Sequence, residues 1–174
     1  MLVEISQMQR LTIFLGHPVY SLSVVLFAIL LSSGLGSYST QKAGNSVMKR
    51  AAIARLLLLL CMLSIFGLFT SHIISRFQGS STMLRIFIAV GILFPLGFFM
   101  GMPFPLGMKL ASTQSVLITP WLWGINGATS VCASVIAVVI AINSSISTAF
   151  WIGFICYLIA FIAIIWMSRL KVNT

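Results

Sequence analysis

Residues Leu56–Ser75 read LLLLLCMLSIFGLFTSHIIS, a stretch without a formal charge. A helix crossing the roughly 30 Å hydrocarbon layer of a bilayer needs about 20 mostly apolar residues. A membrane barrel strand is shorter and alternates apolar with polar residues, and this stretch does not alternate. It is apolar on every side, as a helix buried among lipid and other helices is. Four more segments pass the same test, at about 11–37, 86–106, 121–142 and 148–167. The fold class expected is all-α, a polytopic membrane helix bundle of about five transmembrane helices. The gaps between the spans hold no soluble domain, so residues 1–174 read as a single integral membrane domain.

Composition points the same way. Of 174 residues, 60% are hydrophobic and 6% are charged, against roughly 25% charged in a soluble domain. Ten residues are basic and one, Glu4, is acidic, for a net charge of +9. The basic residues sit in short connections between apolar runs. That placement suits anionic lipid headgroups and topology control rather than nucleic acid, which needs a basic face on a folded surface. Cys61, Cys132 and Cys156 each lie inside an apolar run. Their odd number and lack of clustering argue against a disulfide framework or a zinc site. No cleavable signal peptide is evident, because the first apolar run is too long and no small-residue cleavage site closes it. Residues 1–10 read either as a helical turn or two in the interface or as the remainder of a longer helix.

Orientation follows from the basic residues. One side of the five spans holds Arg10, Arg76 and Arg85. The other holds Lys42, Lys49, Arg50, Arg55, Lys109, Arg169 and Lys171, and is expected to be cytoplasmic. The N-terminus is then outside and the C-terminus inside. Tyr38, Trp121, Trp123 and Trp166 fall near the proposed inner interface, where an aromatic belt is expected.

The third span carries the most unusual backbone. Gly97 and Gly101 form a GxxxG pair that lets another helix approach closely. Pro95, Pro103 and Pro105 each remove a backbone donor, and Pro103-Phe104-Pro105 is expected to end or unwind the helix before Lys109. A broken helix of this kind either lines a site, as in transporters, or is a kink covered by its neighbours. On the fourth span Gly124, Ala128 and Cys132 are spaced four apart, with Gly127 on an adjoining face, which makes a packing surface. Asn126 is the only amide inside these spans, and a buried amide needs hydrogen-bond partners. His17 and His72 fall on the same side of the five spans. As a pair they are candidate haem ligands; as helix-end residues they simply suit the interface.

Catalytic constellations are lacking. The chain has no aspartate and one glutamate. A Ser-His-Asp triad and paired carboxylates are therefore excluded, and no phosphate-cradling loop occurs. No cofactor motif is present.

Several ordered motifs carry a family resemblance. They are Glu4-Ile5, Met8-Gln-Arg10, Phe14-Leu-Gly-His-Pro-Val-Tyr20, Leu30-Leu-Ser-Ser-Gly34-Leu-Gly-Ser37, Gly101-Met-Pro-Phe-Pro-Leu-Gly107 and Trp123-Gly-Ile-Asn-Gly-Ala-Thr-Ser130. Together they resemble the C-terminal membrane region of bacterial spermidine synthase-like multi-pass membrane proteins. In that family membrane helices flank a soluble methyltransferase-like domain, and the glycine-rich loop and acidic residues of that domain are not found here. Met1 would correspond to the middle of a helix in such relatives, which implies a split gene, a truncated product or a stand-alone subunit. The resemblance implies a bacterial inner-membrane chain without transferase activity of its own. The expected function is a non-enzymatic subunit or anchor, packing on a partner chain through its glycine-rich faces. A small solute transporter built on the broken third helix and Asn126, and a haem-binding redox subunit using His17 and His72, are the alternatives.

Overall fold

The structure, a computed structural model, describes residues 1–41, 48–112 and 116–170. The expected turn at Gly44, Asn45 and Ser46 lies outside the described residues. So do Lys42 and Lys171, and the side chains of Lys49, Arg50 and Arg169.

Seven α-helices and no strand occur among the described residues. They are α1 (Leu2–Leu15), α2 (Pro18–Ser39), α3 (Met48–Phe77), α4 (Thr82–Met100), α5 (Pro103–Ser112), α6 (Thr119–Asn143) and α7 (Ile146–Leu170), with one 3-10 turn at Val116–Ile118. Five stretches are long and apolar enough to cross a membrane: Pro18–Ser39, Ala52–Phe77, Thr82–Lys109, Thr119–Asn143 and Ile146–Trp166. The protein is an all-α multi-pass membrane bundle.

The first span is shorter than its hydropathy implies. The continuous apolar stretch 11–37 is cut at Gly16-His17-Pro18. Gly16 closes α1 with φ 79°, and its N–H bonds the Thr12 carbonyl; a left-handed residue at this position is what glycine tolerates best. Pro18 then opens α2 as its first residue, where the missing N–H is not needed, and holds His17 extended. Of the two readings of residues 1–10, the longer helix is the one present. These residues form most of α1, whose Val3, Ser6, Gln7, Leu11, Phe14 and Leu15 are all buried. Met1 lies beside Cys156, Tyr157 and Ala160, in the middle of α7, so the start of α1 sits between the two ends of the bundle rather than outside it.

The helix ends before Lys109 as expected, but the chain does not unwind there. Pro95 lies inside α4; the break falls before Pro103 and Pro105, at Gly101-Met102, and Pro103 begins α5, which continues past Lys109 to Ser112. Proline fits a first turn because those N–H groups lack intrahelical acceptors. The segment is thus a jointed helix and not an unwound one.

Packing closes α1, α2, α4, α3 and α7 into a ring, each in contact with the next and α7 returning to α1. Gly153 of α7 faces Val3 closely, and Gly67 of α3 faces Phe150. The interior is filled by two apolar clusters. One contains Val3, Leu59, Leu63, Leu96 and Phe150; the other contains Leu11, Phe14, Val25, Ala89 and Leu93. In lipid the gain comes from close van der Waals contact between helices rather than escape from water. Helix α6 stands outside the ring and touches it mainly through α1 and α7. Only 6% of its most apolar window is buried. Tyr38, Trp121, Trp123 and Trp166, all exposed, gather at the end of the bundle that carries Lys109, as an aromatic belt does.

Candidate functional site

The two small-residue faces expected from the sequence meet opposite fates. On α4, Gly97 and Gly101 are covered by α2 of the same chain. A methyl group at Gly97 would overlap Ser32 Oγ, and one at Gly101 would overlap the Ser33 carbonyl. Helix α2 reciprocates with Gly36, where a methyl group would strike the Phe98 carbonyl. The α2–α4 contact is the most extensive in the bundle. Its α2 half, Ser32-Ser33 and Gly36, is a missed partner of the GxxxG pair. The signal was present: Ser32 and Gly36 are themselves four apart, the same small-residue spacing.

On α6 the matching face is empty. A Cβ at Gly124 or Gly127 would meet nothing within 4 Å, and Ala128 is exposed. Gly124 and Ala128 line one shallow groove with Pro120, Trp121 and Ile125. Around the other side of α6, a cavity of about 430 Å³ brings Asn126 together with Pro103, Phe104, Gly107 and Thr129. The structure therefore brings Asn126 to the joint of the third span, while Pro105 is half-buried on α5 and is not among the residues lining this cavity. Phe104 and Trp123 pack edge to face across α5 and α6, with ring centroids 4.8 Å apart. The Asn126 side chain makes no hydrogen bond among the described residues; only its backbone carbonyl is engaged, by Thr129 Oγ1 at 3.2 Å.

His17 and His72 are both exposed. His17 stands edge-on to Tyr20, with ring centroids 6.2 Å apart. His72 Nδ1 lies 3.2 Å from the Leu68 carbonyl of its own helix. Neither lines a cavity described above. No group of three or more metal-ligating side chains occurs among the described residues.

Polar residues of α1 were not read as interior. Gln7 is fully buried in the ring, and neither atom of its amide has a partner. Asn126 is therefore not the only amide within the bundle. Glu4, held by the Met1 amino group at 3.2 Å, lies in the same helix. Hydropathy alone cannot reveal this, because a polar half-length helix is recognised only by the neighbours that bury it.

No protein family matches the chain, and neither does any curated protein or solved structure.

Proposed function

We propose that this chain is a non-enzymatic membrane subunit, and that its α6 docks a transmembrane helix of a partner chain. The contrast between the two small-residue faces carries this reading. Gly97 and Gly101 are filled from within the chain, whereas Gly124, Gly127 and Ala128 are bare. Bare small residues let a second helix approach to backbone distance. The idle Asn126 amide adds to it, since an unpaired amide in hydrocarbon costs several kcal/mol by transfer estimates of about 4–8 and a partner helix would answer it. The resemblance to spermidine synthase-like membrane regions makes a membrane-anchored methyltransferase-like chain the partner. The bundle would sit in a bacterial inner membrane with its Lys109 end cytoplasmic, as the seven basic residues and the aromatic belt on that side favour.

A photo-crosslinking residue at position 127, activated in native membranes, tests this. The expected product is one distinct partner chain, lost when Gly124 is changed to Leu. A cross-link only to a second copy would reassign the face to self-association. Lipid adducts alone would end the subunit reading.

The cavity shared by Asn126, Pro103 and Gly107 favours a second function, passage of a small neutral or anionic solute. Proteoliposomes carrying Asn126→Leu should then lose uptake at unchanged protein content; equal uptake removes Asn126 from such a path.

A further inference from the structure

The unanswered polarity of the bundle is concentrated in one turn. Among the described residues, the buried side-chain atoms without a hydrogen-bond partner are both amide atoms of Gln7, Gln9 Oε1, Arg10 Nη1 and Arg55 Nη1. All but the last belong to residues 7–10 of α1. Gln7 and Arg10 are three apart, which makes them side-by-side neighbours on a helix. Gln9 lines an apolar groove with Thr12 and Ile142.

Arg10 and Arg55 each keep a buried, idle Nη1, unlike Arg85 and Lys109. Arg85 donates to the carbonyls of Ser80 and Phe14, and Lys109 donates to those of Thr40 and Gln41. Arg10 has a single bond, from Nη2 to the neutral hydroxyl of Ser147 at 2.8 Å, and its Nη1 is buried and idle. Arg10 is half-buried, and a guanidinium nitrogen shut away from solvent without a counter-charge is costly. Among the described residues no free carboxylate supplies one. The chain's only acid is Glu4, which is engaged with the Met1 amino group. Six residues separate Glu4 from Arg10, placing it about 9 Å along the helix and on another face.

We infer that Arg10 and Gln7 form a binding site for an oxyanion of the phosphate class. Arg10 offers Nη1 beside the Ser147 hydroxyl, and Gln7, one turn back on the same helix, offers its unpartnered amide as a neutral donor. Guanidinium–phosphate pairs are short, directional and about twice as strong as neutral hydrogen bonds. Ser147 is the second residue of α7, so Arg10 lies near the end of the span, at the depth of headgroup phosphates. The phosphate belongs either to a phospholipid or to a free ion. The inference does not depend on what covers α6.

Delipidated protein in mild detergent would be melted with phosphatidylglycerol, with diacylglycerol, and with millimolar inorganic phosphate. Phosphatidylglycerol should raise the melting temperature and diacylglycerol should not. Arg10→Gln should abolish the rise. If inorganic phosphate reproduces the rise, the site stands and its ligand is the free ion. If neither phosphate source moves the wild-type melting temperature beyond that of Arg10→Gln, the site does not exist. Gln7→Met removes the buried amide and keeps the fold, so it remains informative even if Arg10→Gln fails to assemble. It should weaken half-saturation by about tenfold, the worth of one hydrogen bond to a charged group. Unchanged half-saturation overturns the role of Gln7 as a donor in the site.

Discussion

Lys109 reaches from α5 to the end of α2, where its ammonium group donates to the carbonyl of Thr40 at 2.8 Å and to that of Gln41 at 2.9 Å. The last carbonyls of a helix have no intrahelical donors, and a cation there also meets the negative end of the helix dipole. Without this contact α5 would be held mainly by α3, where Met102 and Leu106 pack on Ala52. Lys109→Met should destabilise the bundle by about 2 kcal/mol, as for hydrogen bonds to a charged group. Denaturant titration in detergent reads this directly, and an unchanged midpoint would show that α5 is fixed by its apolar contacts alone.

Glycines of identical appearance should answer substitution in opposite ways. Gly97→Leu and Gly101→Leu drive side chains into α2 and should cost at least the roughly 1–3 kcal/mol of an overpacked core. Gly124→Leu and Gly127→Leu enter open space and should leave the melting temperature within about 1 °C, or raise it slightly through better helix propensity. Measured side by side, equal losses at Gly97 and Gly124 would contradict the arrangement of α6 outside the ring.

The joint between α1 and α2 depends on one backbone conformation. Gly16 has φ 79°, and an added methyl group there would meet only Arg85 Nη1 at an ordinary 3.7 Å. Space is thus not the obstacle. Gly16→Ala should cost about 1–2 kcal/mol, the left-handed penalty of a residue bearing Cβ. The loss should appear in thermal melts as a lower midpoint with unchanged helical circular dichroism before the transition. A full-length fused helix, seen as increased helicity, would instead show that the break is not enforced locally.

The edge-to-face pair of Phe104 and Trp123 is a contact between the jointed third span and the otherwise peripheral α6. Phe104→Ala should remove about 0.5–1.5 kcal/mol beyond the lost area. It should also change the emission contributed by Trp123, measured as the difference from a Trp123→Phe background. Identical emission changes with and without Trp123 would mean that the pair does not hold in the membrane.

Helices were legible in the sequence because each span needs a long apolar run, and hydropathy measures that requirement. Their limits were less so. At residues 11–37 the apolar signal ran across Gly16-His17-Pro18, although that tripeptide states a stop and a restart in local terms. At Pro103-Phe104-Pro105 the removal of donors was read correctly. What decides the outcome is position: prolines at the start of a helix surrender N–H groups that have no acceptor, so the break falls just before them. The GxxxG pair was visible, but its occupant was not, since spacing along one helix says nothing about which other helix is pressed against it. The interior position of Gln7 was hidden for a similar reason. Five polar residues from Glu4 to Arg10 look like a surface until α2, α4, α6 and α7 are placed around them.

The closure of the ring by α1 against α7 has a consequence for biogenesis. These two helices are farther apart in the sequence than any other pair among the described residues, yet each supplies a wall of the same interior. During synthesis α1 leaves the ribosome long before α7, and the surfaces of α2, α3 and α4 cannot be sealed in the interval. Gln7 and Arg10 must therefore be sheltered by the insertion machinery, or by transient contact with water and headgroups, until the hairpin of α6 and α7 arrives. Helix insertion and bundle assembly are then separate events, with the last hairpin setting the time of the second.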